Sequence, residues 1–185
     1  MPRIQPISPA SASPEQQQIF TTVKHALGVV PNLVATLAQS PAAANAYLAF
    51  NQALSKGALS PQLREQISLA VGEANSCDYC VAAHSLLGEK AGLAREEVRR
   101  ARQATSSDPR SAAAVAFAQK IVSDRGIVED ADLATLRGHG FTEGEIAEII
   151  ANTALNIFTN YFNHIAGTTV DFPVAPKLET CGCGH

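Results

Sequence analysis

Residues 61–92 read PQLREQISLAVGEANSCDYCVAAHSLLGEKAG, and this stretch decides the predicted fold. In its first half, apolar residues recur at intervals of three and four, as they do along the buried face of a helix: Leu63, Ile67, Ala70 and Val71. Asn75 and Ser76 are residue types that favour helix boundaries, so we expect the first helix to break there. A second helix then contains both cysteines and ends at the Gly92 turn. The stretch therefore predicts two helices joined by a short turn.

Similar signals predict helices along the rest of the chain. A Ser or Asp followed by Pro caps and starts a helix, and this pair occurs at Ser13-Pro14, Ser40-Pro41, Ser60-Pro61 and Asp108-Pro109. Shorter helices are predicted at residues 32–39, 95–103 and 129–137, the second of them charged and solvated. A long apolar helix over residues 142–167 is expected at the centre of the bundle. Since no segment alternates with a period of two, we predict an all-α fold with a single helical bundle domain over residues 14–175.

The two halves of this domain share a faint pattern that would fit an internal two-fold repeat. The segment Leu63-x-Glu65-x-Ile67 is echoed by Ile146-x-Glu148-x-Ile150. The second copy carries Asn160 and Asn163 where the first carries the two cysteines. Helical sequences also match in this way by chance, so a repeat and a chance match both stay open.

Both ends of the chain differ in composition from the helical domain. Residues 1–13 contain three Pro and three Ser without periodicity, which predicts an extended N-terminal arm lying on a surface or on a partner subunit. Residues 176–185 form a tail rich in Cys and Gly that ends in Cys181, Cys183 and His185. A disordered tail is the simplest interpretation. Adventitious metal binding, a disulfide, or contact with a neighbouring subunit's site are the alternatives.

The overall composition excludes several classes of protein. Apolar residues make up 46% of the chain and charged residues 17%, which is typical of a globular domain and not of a disordered chain or a coiled coil. The net charge is -3 with no basic stripe, so nucleic acid is not an expected partner. No apolar run approaches the roughly 18 residues of a membrane span, and the first residues lack the apolar core of a secretory signal. We therefore expect no membrane association and a cytoplasmic location.

The chemistry is expected at Cys77-x-x-Cys80-x-x-x-His84. At about 100° per residue, these three positions fall on one helical face. Helical Cα atoms three residues apart lie at about 5 Å, within the range that a disulfide bridges. A helix that begins at the first cysteine places its positive end beside the sulfurs, which lowers a thiol pKa from about 8.5. The imidazole can accept or relay the thiol proton because its ordinary pKa is about 6.5.

A carboxylate from the preceding helix is expected to complete this group. Glu65 lies twelve residues before Cys77, about 18 Å along a straight rod, and reaches the thiols only if the chain turns near Asn75. Glu73 is closer in sequence and is an alternative, although it fits a surface position at a helix end equally well. The predicted break supplies the turn that Glu65 needs.

The combination of Arg64-Glu65 with Cys77-x-x-Cys80-x-x-x-His84 resembles the signature of the alkylhydroperoxidase D-like (AhpD-like) branch of the carboxymuconolactone decarboxylase family. The segment FTNYFNH at residues 158–164, followed by Asp171-Phe172-Pro173, is also similar to members of this length. The resemblance implies an all-α fold, homo-oligomers (trimers or hexamers), and a thiol peroxidase that needs no haem, flavin or other cofactor.

The same resemblance implies a role for each residue of the motif. Cys80 would be the peroxidatic thiol, Cys77 the resolving thiol, and Glu65 and His84 the proton relay. The expected partners are a hydroperoxide substrate and an external dithiol that reduces the disulfide. Relatives can carry a His between the two cysteines, where this chain has Tyr79, so details of the relay are expected to differ.

Two other interpretations remain at this stage. A carboxymuconolactone decarboxylase-type lyase has no need of two thiols, which argues against it without removing it. A non-catalytic metal-binding or structural member is the other, since Cys77, Cys80 and His84 are residue types that bind zinc. His164, on the long last helix, is expected to form a hydrogen bond across helices or to lie near the thiols.

Overall fold

The computed structural model describes residues 1–178, and that part of the chain contains nine α-helices and no strand. The helices are α1 (Pro14–Leu27), α2 (Asn32–Leu37), α3 (Pro41–Leu54), α4 (Pro61–Ala74), α5 (Asp78–Lys90), α6 (Arg95–Arg102), α7 (Pro109–Ser123), α8 (Asp130–Gly138) and α9 (Glu143–Ala166). The prediction of an all-α fold is therefore confirmed. No helix in residues 1–178 has both the length and the hydropathy that a membrane span requires.

The helices begin where the local capping signals predict. The side chains of Ser13, Ser40, Ser60 and Asp108 each accept a hydrogen bond from a backbone N–H in the first turn of the helix that follows. Helix ends are less clearly marked: α3 and α7 stop a few residues before Gly57 and Gly126, although glycine is a common residue just after a helix end. Start positions depend on one residue and its immediate neighbours, whereas an end also depends on packing.

Helix α4 occupies the centre of the bundle. It packs against α5, α6, α7 and α9, and its residues 66–72 are all buried. The prediction that the long last helix would be central is wrong, because α9 buries only one face. On its other face Phe158, Tyr161 and Ile165 are exposed. Any side chain that α4 directs toward a neighbouring helix is consequently held inside the protein.

The apolar core has two main parts. One lies around α4, α7, α8 and α9 and includes Ile67, Val115, Leu136 and Ile149. The other joins α1, α2 and the start of α5, and both cysteines belong to it. Helix α6 adds a smaller cluster through Val98 and Ala101, so the predicted solvated helix buries one side. The sulfurs are therefore packed among apolar side chains and not displayed on a surface loop.

Both ends of the described chain lie over the bundle. The Arg3 N–H donates to the carbonyl of Ala166 at 2.6 Å, and the Ile7 N–H donates to that of Ala35 at 2.9 Å. Arg102 donates to the carbonyl of Pro176 at 2.7 Å. The predicted roles of Cys181, Cys183 and His185 lie outside the described residues.

The proposed repeat stays a prediction, but its paired positions have different surroundings. Ile67 is fully buried, whereas Ile150 is 45% exposed. The Glu148 carboxylate accepts hydrogen bonds from the backbone N–H groups of Ala58 at 2.9 Å and Leu59 at 3.1 Å. A side chain at Gly57 would collide with this carboxylate. Glu148 thus fixes the loop that leads into α4.

We expect Glu148→Ala to lower the free energy of unfolding by about 1–3 kcal/mol, because two backbone donors lose their acceptor. Urea unfolding followed by circular dichroism measures the change. Glu143→Ala, on the same helix, removes an ion pair in which the Glu143 side chain is 74% exposed, and should leave the free energy of unfolding nearly unchanged. Equal costs for the two variants would contradict this role of Glu148.

Candidate active site

A tight reversal of the chain creates the site. Helix α4 ends at Ala74, Ser76 adopts a left-handed backbone with φ 54°, and the Cys77 N–H donates to the Gly72 carbonyl at 2.8 Å. These features form a Schellman motif, which closes one helix and turns the chain at once. Helix α5 starts at Asp78 with Cys77 as its N-cap, so this cysteine precedes the helix that was expected to contain it. The predicted break is where the sequence places it.

The two sulfurs lie at the N-terminal end of α5. The Cys77 Sγ accepts a hydrogen bond from the Cys80 N–H at 3.4 Å, and the Asn163 Nδ2 of α9 donates to the Cys80 Sγ at 3.3 Å. Both cysteines are free thiols, and their residues are only 1% and 3% exposed. The site therefore holds a reduced pair in contact with backbone and amide N–H groups.

The surroundings of the two thiols favour ionisation of Cys80 only. A hydrogen bond from Cys77 is the main cause that lowers the pKa of Cys80 to about 7. Burial opposes this shift, whereas the charge of His84 and the amides of Asn163 and Asn160 support it. The same hydrogen bond, together with burial, raises the pKa of Cys77 well above its ordinary value. Near neutral pH Cys80 is thus partly ionised, and any thiolate of the pair is on Cys80.

The structure brings Glu65 and His84 together. The Glu65 Oε2 lies 2.8 Å from the His84 Nδ1, and these side chains are 22% and 23% exposed. Burial alone lowers the pKa of His84, but the Glu65 carboxylate and the charge of Cys80 together raise it above the ordinary value. Glu73, the alternative closer in sequence, instead forms an ion pair with Arg102 at 2.8 Å and does not line the cavity described next.

A cavity of about 760 Å³ leads to this group. Apolar side chains of α1, α3 and α5 form much of its wall, among them Ile19, Val23, Leu27, Leu48 and Leu87. Cys80, His84 and Glu65 also line it, and Cys77 does not. Of the two thiols, Cys80 is therefore the one that a small molecule in the cavity would meet.

A second, smaller cavity of about 200 Å³ also reaches the relay pair. Its lining is mostly polar and includes Arg64, Ser68, Asn152 and Asn156. Glu65 and His84 border both cavities. The pair is thus in contact with both an apolar cavity and a polar one.

Two tyrosines have contrasting roles around the site. Tyr79, at the position where relatives can carry a His, accepts a hydrogen bond on its Oη from the Leu33 N–H at 3.1 Å and packs edge-on against Phe172. It anchors α5 to α2. Tyr47 of α3 lines both cavities, and burial plus the charges of Cys80 and Glu65 raise its pKa to about 12. It is therefore a neutral hydroxyl group.

Several contacts around the thiols are absent from the sequence interpretation. It gives Tyr47 no role, and it notes Asn160 and Asn163 only through the possible repeat. His164 is exposed, and its Nε2 lies 3.3 Å from the Ser76 carbonyl, a contact across helices as one of its two interpretations predicts. Within residues 1–178, no three His, Cys, Asp or Glu side chains form a group that could hold a metal ion. The zinc interpretation of Cys77, Cys80 and His84 thus has no structural support.

Comparisons with known proteins give a family match and several structures with a similar fold. The sequence model of the carboxymuconolactone decarboxylase family matches residues 41–120, which contain all four predicted site residues. The structure is similar to that of an alkylhydroperoxidase AhpD core, an uncharacterized peroxidase-related protein from Ralstonia eutropha JMP134, with TM-score 0.84, 29% identity and 92% of each chain covered. A peroxidase-related protein from Silicibacter sp. TM1040 gives a TM-score of 0.78 at 25% identity, covering 90% of this chain and 92% of that one.

A third structure shares only the fold. The debrominase Bmp8, solved in complex with 2,3,4-tribromopyrrole, has a TM-score of 0.79 at 21% identity, with 91% of each chain covered. No curated protein matches the sequence. The fold thus occurs both in peroxidase-related proteins and in a debrominase.

We expect the rate of Cys80 alkylation by iodoacetamide to rise with pH through a midpoint near 7, because only the thiolate reacts. Cys77→Ala removes the thiol donor and should move the midpoint up by about one pH unit or more. Mass spectrometry of the peptide that contains Cys80 follows the reaction. Cys77→Ser, which keeps a hydroxyl donor, is the matched control, and an unmoved midpoint in Cys77→Ala would show that the hydrogen bond does not control ionisation.

Proposed function

Because this chain belongs to the AhpD-like branch of the carboxymuconolactone decarboxylase family, we propose that it is a thiol-dependent peroxidase that reduces hydroperoxides through a Cys77/Cys80 dithiol–disulfide cycle. One observation carries the proposal. Cys80, the thiol with the lowered pKa, lines the same cavity as the hydrogen-bonded Glu65–His84 pair. A nucleophile, a proton relay and a route for a substrate therefore meet at one place.

The first step is attack of the Cys80 thiolate on the terminal oxygen of the hydroperoxide. The S–O bond forms as the O–O bond breaks, which leaves a sulfenic acid on Cys80 and releases an alkoxide. The alkoxide takes a proton from His84 and leaves as the alcohol. Glu65 holds the imidazole through its Nδ1 and stabilises the protonated form, since a carboxylate beside an imidazolium favours the charged state.

The second step joins the two sulfurs. Cys77 attacks the sulfenic acid, the S–S bond forms, and the hydroxyl group leaves as water with the proton of Cys77. Since the two residues are three apart in sequence at the start of α5, their Cα atoms are close enough for a disulfide with little backbone movement. An external dithiol then supplies two electrons and two protons and restores the starting state. Such a cycle requires a reducing compartment, as the expected cytoplasmic location provides.

The alternative lyase activity would leave the paired thiols without a role. Carboxymuconolactone decarboxylation needs no dithiol, whereas the structure devotes a helix N-terminus, an amide and a hydrogen-bonded carboxylate–imidazole pair to the surroundings of Cys80. The peroxidase therefore accounts for more of the site.

We expect the protein to consume cumene or tert-butyl hydroperoxide with dithiothreitol as the donor, and not to turn over carboxymuconolactone. Cys80→Ser should abolish peroxide consumption, and Glu65→Gln should lower kcat by about 10²-fold because the relay loses its charge. Glu73→Gln, on the same helix but paired with Arg102, is the matched control and should retain activity. Equal rates for wild type and Cys80→Ser would overturn the proposal.

The exposed side of α9 fits the homo-oligomer that the family resemblance implies. Ile150, Phe158, Tyr161 and Ile165 are 43% to 65% exposed and fall within about 80° of one another around the helix. We define these four residues as the α9 apolar face. Residues 150–165 contain no Asp, Glu, Lys or Arg, so a second copy could pack there without burying a charge. We propose that this face joins subunits.

Replacement of both Tyr161 and Ile165 by Glu should reduce the oligomer to smaller species, because four buried charges per pair of subunits would oppose packing. Sedimentation velocity measures the mass, and circular dichroism checks the fold. Ile127→Glu is the control, since Ile127 is 81% exposed but lies outside α9. A wild-type protein that sediments as a monomer would refute the proposal, as would an unchanged mass in the double variant.

A further inference from the structure

Three asparagine carboxamides lie at the inner side of the thiol pair. Asn75, which follows α4, donates through its Nδ2 to the Oδ1 of Asn160 at 2.8 Å. Asn163 is one helical turn further along α9, and its Nδ2 donates to the Cys80 Sγ at 3.3 Å. Asn160 and Asn163 are 0% and 4% exposed, so water does not solvate them freely. The carboxamides thus form two hydrogen-bonded contacts, Asn75 to Asn160 and Asn163 to Cys80, one helical turn apart on α9.

These carboxamides have more hydrogen-bonding capacity than the described residues use. The Asn160 Nδ2 and the Asn163 Oδ1 are both buried without a partner among residues 1–178. A buried polar atom without a partner costs free energy that an apolar side chain of the same shape would not. Packing therefore does not explain the two asparagines, and their positions call for a functional explanation.

The explanation lies in the charge that the proposed cycle needs. A thiolate on Cys80 would sit among apolar side chains with 3% exposure, and a charge in such surroundings requires N–H or similar donors in place of water. Asn163 donates to it directly, and the amide of Asn160 also favours its ionised form. Neither asparagine lines the cavity, so their amides remain available to the sulfur when a molecule occupies it.

We propose that Asn163, supported by Asn160, is the thiolate-binding residue of this protein: its amide N–H binds the Cys80 sulfur in the reduced state and stabilises the negative charge that the nucleophile carries. Asn75 positions this group, because its Nδ2 donates to the side-chain carbonyl of Asn160. The Asn160 Nδ2 is then left available to the sulfur. The inference rests on the proposed peroxidase cycle for the nucleophilic role of Cys80, but its test does not require peroxidase activity.

The other groups that act on Cys80 must stay unchanged in the test. They are Cys77, which caps its own helix, His84 and Tyr79 within that helix, and Tyr47 of α3; Glu65 of α4 acts through His84. Helix α9 contributes amides and no charged side chain at this place. A substitution on α9 therefore removes the amide donor without removing any titratable neighbour.

The test compares Asn163→Leu, which has a similar volume and no donor, with Asn163→Asp, which has the same shape and becomes a competing negative charge. The readout is the pH midpoint of Cys80 alkylation by iodoacetamide, followed by mass spectrometry of the Cys80 peptide. We expect the midpoint to rise by about one to two pH units in Asn163→Leu, as for the loss of a hydrogen bond to a charged group, and at least as far in Asn163→Asp.

Thr153→Val is the matched control on the same helix. Thr153 is also fully buried and donates to the Ile149 carbonyl at 2.9 Å, far along α9 from the sulfurs, so its midpoint should equal that of wild type. Circular dichroism establishes that each variant folds. If Asn163→Leu does not fold, Asn163→Asp decides alone, and a midpoint within about 0.3 pH units of wild type in a folded variant overturns the inference.

The same proteins separate this inference from the proposed function. Suppose that the midpoint rises in the Asn163 variants and that the wild-type protein consumes no hydroperoxide. This result would support thiolate binding and refute the peroxidase. Peroxide consumption by wild type with an unmoved midpoint in the variants would refute thiolate binding and leave the peroxidase in place.

Discussion

The reversal of the chain at residues 75–77 is the constraint on which the rest of the site depends. A left-handed Ser76 closes α4, and the next residue already caps α5 through its sulfur. Two helices that would otherwise continue as one rod instead run side by side, and the Glu65 carboxylate meets the His84 imidazole across them. Without this turn, the glutamate and the thiols would be separated by most of the length of a helix.

A second constraint is the balance between burial and hydrogen bonding at Cys80. Burial opposes a charge on this sulfur, whereas the Cys77 thiol, the His84 charge and the α9 amides favour it. The two cysteines have the same chemistry and nearly the same burial, yet they differ in what they contact. Cys80 lines the cavity and accepts hydrogen bonds, whereas Cys77 donates a hydrogen bond to it and caps α5. The asymmetry of the pair is therefore a property of the surrounding helices.

The sequence allowed the fold class, the helix starts and the shared helical face of Cys77, Cys80 and His84 to be predicted, because each depends on short-range spacing. Ser60-Pro61 marks the start of α4, and Cys77, Cys80 and His84 share one face of a helix by arithmetic alone. The central position of α4 could not be read in this way, since it depends on which faces of distant helices pack together. The roles of Asn163 and Tyr47 at the site could not be predicted for the same reason, because their contacts join residues that are far apart in the chain.

Glu65 and His84 line both cavities, and this has a consequence for how protons and organic molecules reach the site. An apolar molecule that fills the larger cavity excludes water from it, yet the His84 imidazole still lines the smaller, polar cavity. Protons can thus reach His84 from the polar cavity, while an organic molecule reaches Cys80 from the apolar one. In the proposed cycle, an organic hydroperoxide therefore excludes water from the sulfur while His84 still exchanges protons with the polar cavity.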